Sequence, residues 1–230
     1  MQLPDASIAE IMGRAMYDWV AIDMEHGAVS QHQLPDLFRA LELGGTLPLV
    51  RLAEGTAREC KQTLDAGAGG VIVPMIESAA QLIRVRDDCR WPPTGTRGVG
   101  FSRANYYGET FDAYAAEAQE PLLIAMIEHV KALDELDLIL QVEGLDALFI
   151  GPYDLSASLG LTGQFEAEEF SNVMKTISER CASNRVACGL HVVMPDVSLL
   201  RQRLSEGYVF IAYSIDAVFM RTSCKKPLQG

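Results

Sequence analysis

The most regular feature of the sequence is an alternation between short apolar runs and longer amphipathic stretches. Apolar runs of roughly four to eight residues between turn residues are typical of buried strands, and a 3.6-residue period between them indicates helices. The predicted strands span residues 18–23, 48–53, 70–75, 121–128, 147–151, 187–193 and 208–214. The predicted helices span residues 31–43, 56–66, 77–89, 129–142, 166–183 and 195–206. This order predicts an α/β protein with a parallel sheet.

A closed (β/α)8 barrel needs one strand more than this pattern shows. Residues 7–15 are predicted to form a first helix, so only residues 1–3 remain for a strand before it. We therefore predict a parallel (β/α)8 TIM barrel with a short or truncated first strand. Because α/β barrels commonly reach this length, we expect one domain that spans residues 1–230.

The net charge and the cysteine content limit which partners and which cellular compartment are expected for this protein. A formal net charge of −12 argues against nucleic acid and anionic membrane surfaces as partners, because both require a basic face. The five cysteines lack metal-type spacing, and their odd number without a secretory leader predicts reduced thiols and a cytoplasmic protein. The longest apolar stretch, residues 122–127, is far too short to span a bilayer.

Charged and polar side chains follow several of the predicted strands. In a parallel barrel all strands end at the same face, so these side chains are expected to converge there. They are Asp23, Glu25, His26, Arg51, Met75, Glu128, Asp154, His191 and Tyr213. A structural loop has no need for such a set, and the pattern therefore predicts an enzyme active site.

Glu128 and Asp154 follow adjacent predicted strands and form a candidate metal site. Two carboxylates with water suit a hard cation such as Mg²⁺ or Mn²⁺ and leave positions for substrate oxygens. Alternatively, each carboxylate stabilises the N-terminus of the helix that follows it. Stabilisation of a helix N-terminus would explain either residue alone, whereas the occurrence of both at adjacent strand ends favours a metal site.

Arg51 and two histidines are the other candidates. An arginine at a barrel mouth needs an anionic partner, so Arg51 either pairs with Glu25 or stabilises negative charge on a substrate oxygen. His26 lies three residues after Asp23, close enough for a carboxylate–imidazole pair that would make the ring a catalytic acid or base. His191 ends a strand, where a substrate contact and a structural role are equally expected.

Residues 91–110 form the longest region without clear periodicity and are rich in Pro, Gly and Arg. A long irregular loop inside a compact domain is often a lid or a subunit contact. Arg97 and Arg103 within it are expected to be solvated, unless they bind a distal carboxylate of the substrate.

At these residues the chain resembles the HpcH/HpaI family of class II, metal-dependent pyruvate aldolases. The matching segments follow the family order and cover essentially the whole chain after residue 5. They are Asp23-Met24-Glu25-His26-Gly27, Pro48-Leu49-Val50-Arg51, Gly70-Val71-Ile72-Val73-Pro74-Met75, Arg97-Gly98-Val99, Ile127-Glu128 and Gly151-Pro152-Tyr153-Asp154-Leu155-Ser156. Only the first and last are specific individually; together the segments are highly specific for the family.

The resemblance implies a (β/α)8 barrel that assembles as a homo-oligomer, commonly a hexamer built as a trimer of dimers, in which neighbouring subunits complete each site. It implies that Glu128 and Asp154 bind Mg²⁺, Mn²⁺ or possibly Co²⁺, which chelates the keto and carboxylate oxygens of pyruvate. The main-chain N–H groups around Tyr153 and Asp154 would then hold the substrate carboxylate.

The same resemblance implies roles for the remaining candidates. Arg51 would stabilise the enolate oxygen, and His26, oriented by Asp23, would act with a metal-bound water as acid and base. The chain departs from the family pattern at Met126, where most members have Gln.

The implied reaction is the cleavage or formation of a 4-hydroxy-2-oxo acid from pyruvate and an aldehyde by a lyase. Two alternatives stay open. One is a citrate synthase of the siderophore-biosynthesis type that acts on oxaloacetate and acetyl-CoA, for which Met126 leaves room. The other is a non-catalytic barrel that binds a keto acid. The sequence does not identify the aldehyde.

Overall fold

The computed structural model describes residues 1–224 and shows one curled sheet of seven parallel strands. The strands are β1 (Trp19–Asp23), β2 (Leu47–Arg51), β3 (Gly70–Val73), β4 (Leu122–Ile127), β5 (Ala147–Ile150), β6 (Ala187–Val192) and β7 (Phe210–Tyr213). Each strand pairs with the next one in chain order. The seven predicted strands are confirmed, with bounds that differ by at most two residues.

Ten α-helices lie within the described residues and cover the outer face of the sheet. They are α1 (Ala6–Arg14), α2 (Leu34–Glu42), α3 (Ala57–Asp65), α4 (Ala79–Cys89), α5 (Phe111–Glu117), α6 (Leu136–Leu140), α7 (Pro152–Ser158), α8 (Glu168–Asn184), α9 (Val197–Ser205) and α10 (Asp216–Ser223). The sequence pattern did not predict the three short helices α5, α7 and α10. The predicted helices at 31–43 and 129–142 each begin as a 3₁₀ turn before the α-helix.

Strand side chains alternate between two apolar layers, as the two-residue period of a strand requires. The outward side chains, such as Val20, Ile22 and Val71, pack beneath the helices. The inward side chains, such as Ile72 and Phe149, fill the concave side of the sheet. The short apolar strands were recognisable in sequence because both of their faces are covered.

The edges of the sheet, β1 and β7, are bridged by the first residues of the chain. The amino group of Met1 donates to the carbonyl of Ala21 at 2.6 Å, and the carbonyl of Met1 accepts from the N–H of Asp23 at 2.9 Å. On the other side, the carboxylate of Asp216 accepts from the N–H groups of Gln2 at 2.8 Å and Leu3 at 2.9 Å. Residues 1–3 therefore lie between the two edges at the carboxyl-terminal end of the sheet.

The opposite end of the same gap is closed by aromatic side chains. Trp19 of β1 stacks on Phe210 of β7 with ring centroids 4.4 Å apart. The parallel α/β architecture is thus confirmed as a curled half-barrel. Residues 1–3 are not assigned as a strand, so the eight-stranded closure stays a prediction.

The prediction of one domain over residues 1–230 also stays a prediction, and its last part, residues 225–230, lies outside the described residues. None of the helices in the described part of the chain is long and apolar enough to cross a bilayer.

Candidate active site

The carboxyl ends of the strands bring the predicted site residues to one face of the sheet. Asp23 and Arg51 end β1 and β2 and lie opposite each other in the register of the two strands. Glu128 follows β4 directly, and Asp154 lies in the first turn of α7 after β5. His191 is the penultimate residue of β6. Five strand ends therefore contribute to this face.

Asp23 and Arg51 form a two-point ion pair. Nε of Arg51 donates to Oδ1 of Asp23 at 2.9 Å, and Nη2 donates to Oδ2 at 2.6 Å. Burial opposes ionisation of Asp23, but the hydrogen bonds and positive charge of Arg51 outweigh it and lower the pKa of Asp23 to about 2. A bidentate pair fixes the plane of the guanidinium as well as its position.

The carboxylate of Asp23 also shapes the loop that follows β1. Its Oδ1 accepts hydrogen bonds from the main-chain N–H groups of Glu25 and His26, each at 3.1 Å. The expected pairing of Asp23 with the imidazole of His26 is therefore wrong: Asp23 holds the backbone of His26 and not its ring. The ring faces Glu25 instead, with Nε2 at 4.0 Å from Oε2.

Glu25 lies between the guanidinium and the imidazole. Its Oε2 is 3.0 Å from Nη1 of Arg51, so the ion pair considered as an alternative from the sequence is present together with the Asp23 pair. The approach lacks the alignment of a hydrogen bond, and this buried Oε2 has no hydrogen-bond donor. Burial raises the pKa of Glu25, although the positive charge of Arg51 partly offsets the effect.

Glu128 is almost fully buried at the end of β4. Its Oε1 accepts a hydrogen bond of 2.7 Å from the N–H of Met75, which follows β3. Gly151 lies so close that a Cβ added there would be 2.6 Å from Oε2 of Glu128, so the glycine makes room for the carboxylate. Burial raises the pKa of Glu128 to about 7, and the charges of Glu25 and Asp154 add to this effect.

Asp154 presents an exposed carboxylate in the first turn of α7, whose first residue is Pro152. The negative charge of Asp154 disfavours the ionisation of Glu25 and of Glu128, and the charge of Glu25 adds to the effect on Glu128. A divalent cation would offset that repulsion, and Glu128 is a hard oxygen ligand. The donor set therefore fits the metal that the sequence predicts.

The described residues contain no cluster of three or more His, Cys, Asp or Glu side chains that could hold a metal ion. A cation at this site would be held by Glu128 and Asp154, and its other positions would be open to water and substrate oxygens.

His191 is mostly buried on the inner side of β6. Its Nε2 is 3.2 Å from the carbonyl oxygen of Ser214, and a carbonyl only accepts, so Nε2 carries the proton. Burial lowers the pKa of His191, which keeps the ring neutral near pH 7. Ser214 has φ of +64°, an uncommon conformation for a non-glycine residue that places its carbonyl beside the ring.

The side chain of Tyr153 packs against an aromatic residue of the segment before α8. It is half exposed and packs edge-on against Phe165, with ring centroids 5.0 Å apart. Any contact of Tyr153 with a ligand at the strand ends would therefore use its main chain, as the family resemblance implies.

The expectation that Arg97 and Arg103 are solvated is wrong. Arg97 is 3% exposed, donates to the hydroxyl of Tyr114 at 2.9 Å and lies against the ring of Trp91. Arg103 binds the carboxylate of Glu42 and the carbonyl of Ala66. Arg97 thus connects the loop 91–110 to α5, and Arg103 connects it to α2 and to the residue that follows α3. Sequence reasoning failed here because a loop packed on helices has no periodic pattern.

Sequence reasoning also missed residues that support the site. Nε2 of Gln2 donates to Oδ2 of Asp23 at 2.9 Å, and the N–H of Met75 holds Glu128. The contact of Gln2 spans 21 positions and leaves no local signal. The turn made by Asp23 does have one, because Asp at a strand end often accepts hydrogen bonds from main-chain N–H groups two and three residues later.

Comparison with known proteins identifies relatives across almost the entire chain. The sequence model of the HpcH/HpaI aldolase/citrate lyase family matches residues 1–222. A hydroxypyruvate/pyruvate aldolase of Roseobacter denitrificans is 36% identical over 98% of this chain and 88% of its own length. A 2-keto-3-deoxy-L-rhamnonate aldolase of Escherichia coli K12 is 38% identical over 93% of this chain and 80% of its own length.

A solved structure gives the same picture for the fold. An HpcH/HpaI aldolase/citrate lyase family protein from Burkholderia cenocepacia J2315 superposes with a TM-score of 0.91. It is 31% identical in sequence, and the match covers 97% of this chain and 89% of that protein.

Proposed function

Because this chain belongs to the HpcH/HpaI aldolase/citrate lyase family and is a lyase of the aldolase type, we propose that it cleaves and forms a 4-hydroxy-2-oxo acid from pyruvate and an aldehyde. The relatives named as aldolases favour this reaction over the citrate-forming and non-catalytic alternatives. The observation that carries the proposal is the arrangement of the half-buried carboxylate of Glu25 and the buried carboxylate of Glu128 near the guanidinium of Arg51.

The proposed cofactor is a divalent cation, Mg²⁺ or Mn²⁺ and possibly Co²⁺, held by Glu128 and Asp154. When bound, such a cation acts as a Lewis acid and lowers the cost of removing a proton beside a carbonyl group. The burial of Glu128 and its hydrogen bond from Met75 would fix one ligand. Asp154 is exposed and would complete the site from α7.

Arg51 is proposed to stabilise the negative charge that develops on the substrate oxygen when pyruvate becomes its enolate. Asp23 holds Nε and Nη2 of Arg51, so the guanidinium cannot rotate freely and no reorganisation is needed as the charge appears. Burial lowers the pKa of Arg51, but the hydrogen bonds to Asp23 and the negative charges of Asp23, Glu25 and Glu128 together outweigh it and raise the pKa, so the positive charge is permanent.

His26 is proposed as the acid and base that moves the proton. Its side chain is 58% exposed, so it can reach substrate and water at the mouth of the site. Its backbone is held by Asp23, while the carboxylate of Glu25 lies 4.0 Å from the ring. Asp23 is therefore a positioning residue for both Arg51 and His26.

The N-terminal turn of α7 is proposed to bind the substrate carboxylate. The main-chain N–H groups of Tyr153 and Asp154 lie in this turn, where helical N–H groups have no partner within the helix. The neutral ring of His191 is the further proposed substrate contact, because its protonated Nε2 is already bound to Ser214 and its Nδ1 is left as an acceptor.

Exchange of pyruvate methyl protons with D₂O, followed by NMR, tests the proposal without requiring the aldehyde. We expect exchange with Mn²⁺ or Mg²⁺, loss of exchange with EDTA, and loss in Glu128→Ala. Glu143, which is exposed, offers the matched control Glu143→Ala. A folded, metal-loaded wild type that shows no exchange would contradict the aldolase proposal, and oxaloacetate with acetyl-CoA would be tested next.

The proposal also covers the eighth strand, the oligomeric state and the cellular location of the protein. We propose that residues 1–3 stand in for the eighth strand, supported by the two main-chain hydrogen bonds of Met1 to β1. A homo-oligomer, of the hexameric kind that the family resemblance implies, is supported by the exposed Phe101, Tyr106 and Tyr107. A cytoplasmic location is supported by the free cysteines, which suit a reducing compartment.

A further inference from the structure

Met126 lies directly below Glu128 on the inner face of the sheet. Side chains two positions apart in a strand point to the same face, and Glu128 follows β4 two residues after Met126. Met126 is 2% exposed and packs in the inner apolar layer with Ile72 and Phe149. The inward side chain nearest to the proposed metal ligand along β4 is therefore a thioether.

The end of the Met126 side chain reaches the start of α7. A Cβ added at Gly151, the residue before α7, would lie 3.3 Å from Cε of Met126 and 2.6 Å from Oε2 of Glu128. The methyl group of Met126 and the carboxylate of Glu128 therefore border the same space beside Gly151. Since the first turn of α7 is proposed to bind the carboxylate of the 2-oxo acid, Met126 lies next to the proposed donor site.

Met126 also shares a lining with Arg51. Both residues face the interior space that opens between β1 and β7 on the concave side of the sheet. Arg51 is proposed to stabilise the negative charge on the keto oxygen of the donor. Met126 thus borders the proposed donor site from the strand side, near the groups assigned to both ends of the donor.

The surroundings of Met126 offer contact area but no hydrogen bond. A thioether donates none and accepts only weakly. The buried side chains of the inner layer around it are apolar as well: Leu49, Ile72, Ile124 and Phe149. A hydroxyl group placed against these side chains would lose its water without gaining a partner, whereas a methyl group would bury its surface favourably.

From this arrangement we infer that Met126 contacts the third carbon of the donor and favours 2-oxo acids whose substituent on that carbon is apolar. The inference rests on the proposed function and names its donor class: pyruvate and its alkyl homologues, rather than 3-hydroxy-2-oxo acids. The carboxylate of the donor is assigned to the first turn of α7 and its keto oxygen to Arg51. The third carbon is the remaining part of the molecule, and Met126 is the apolar side chain beside both assigned groups.

Two donors of nearly equal size provide the test. 2-Oxobutanoate carries a methyl group where hydroxypyruvate carries a hydroxyl group, and the two acids are otherwise identical. Isothermal titration calorimetry with the Mn²⁺-loaded protein measures the dissociation constant of each acid. We expect the wild type to bind 2-oxobutanoate about tenfold more tightly or better, within the limit of about a hundredfold for an apolar pocket that rejects a hydroxyl group.

Met126→Gln keeps the length of the side chain and adds an amide that can bind a hydroxyl group, so the preference for 2-oxobutanoate should fall about tenfold. Met126→Leu keeps an apolar side chain and should keep the preference. Met220 is half exposed on α10, and Met220→Gln is the matched control that makes the same change away from the site. Circular dichroism and a thermal melt establish that each variant is folded, and Met126→Thr replaces Met126→Gln if the larger polar side chain prevents folding.

Binding separates this inference from the proposed function, because calorimetry does not require the chemical step. Equal affinity of the wild type for the two acids, or an unchanged preference in the polar variant, would overturn the role of Met126 even if pyruvate proton exchange is present. A preference that depends on Met126 without proton exchange would support the donor site and contradict the aldolase chemistry. Failure of a folded, Mn²⁺-loaded wild type to bind either acid would overturn both.

Discussion

The guanidinium of Arg51 donates two hydrogen bonds to the carboxylate of Asp23, 2.9 Å from Nε to Oδ1 and 2.6 Å from Nη2 to Oδ2. The two residues end neighbouring strands and face each other in register, so the pair also connects β1 to β2 at the carboxyl-terminal end of the sheet. Asp23 holds the loop that carries His26 through its main chain. One carboxylate thus positions both residues proposed to perform the chemistry.

This pair predicts how stability depends on pH. The pKa of Asp23 is lowered in the folded protein from 3.8 to about 2, so the pair stabilises the fold above pH 3.8 and loses its effect as the pH falls toward 2. The full contribution is about 2 kcal/mol, of which about 1 kcal/mol is lost by pH 3. Urea unfolding at pH 6 and pH 3 should show this loss in the wild type and not in Asp23→Asn.

Asp137→Asn is the control for that experiment. Asp137 pairs with Arg180 at 2.9 Å, but both side chains are about half exposed, so this pair contributes little. If Asp23→Asn kept the full acid dependence of the wild type, the low pKa of Asp23 would not be a source of stability.

Arg51→Lys is expected to lower the rate of pyruvate proton exchange by roughly 10²- to 10³-fold, the usual cost of losing one oxyanion donor. Lysine keeps the positive charge but has a single ammonium group in place of the planar guanidinium. It therefore cannot form two parallel hydrogen bonds with Asp23 and also contact the substrate. Arg180→Lys makes the same change in the exposed pair and should leave the rate unchanged. A rate for Arg51→Lys near that of the wild type would exclude Arg51 as the stabiliser of the enolate.

Metal binding is predicted to depend on Glu128 and Asp154 together. Electron paramagnetic resonance of Mn²⁺ should show bound metal in the wild type, and weak or no binding in Glu128→Gln and Asp154→Asn. Each change keeps the shape of the side chain and removes one anionic ligand. Glu143→Gln removes the same charge from an exposed position and should bind Mn²⁺ normally. Normal binding in both site variants would place the metal elsewhere.

The sequence predicted the scaffold better than the contacts within the site. The strands β4 and β5 are apolar throughout, and their ends identify where Glu128 and Asp154 must meet. The partner of His26 was wrong because spacing along the chain does not distinguish a carboxylate bound to a ring from one bound to a main-chain N–H. The contacts of Gln2 and Arg97 could not be predicted from the sequence, because they depend on how the N-terminal segment and the loop 91–110 pack against the rest of the protein.

Asp216 is predicted to hold the N-terminal segment in place between the sheet edges. It is 3% exposed, and its two oxygens accept the N–H groups of Gln2 and Leu3 at 2.8 and 2.9 Å. In Asp216→Asn one oxygen becomes an NH₂ group that faces an N–H, which leaves a buried donor unsatisfied at a cost of about 1–3 kcal/mol. Urea unfolding should show this loss.

Hydrogen exchange distinguishes a local release of that segment from general destabilisation. The N–H of Asp23 is bound to the carbonyl of Met1, so its exchange should accelerate in Asp216→Asn, while the N–H of Leu155, bound to Gly151 in α7, should keep its rate relative to global unfolding. Uniform acceleration at both amides would mean that Asp216 stabilises the whole fold. In that case the residues between β1 and β7 would not be a separate unit.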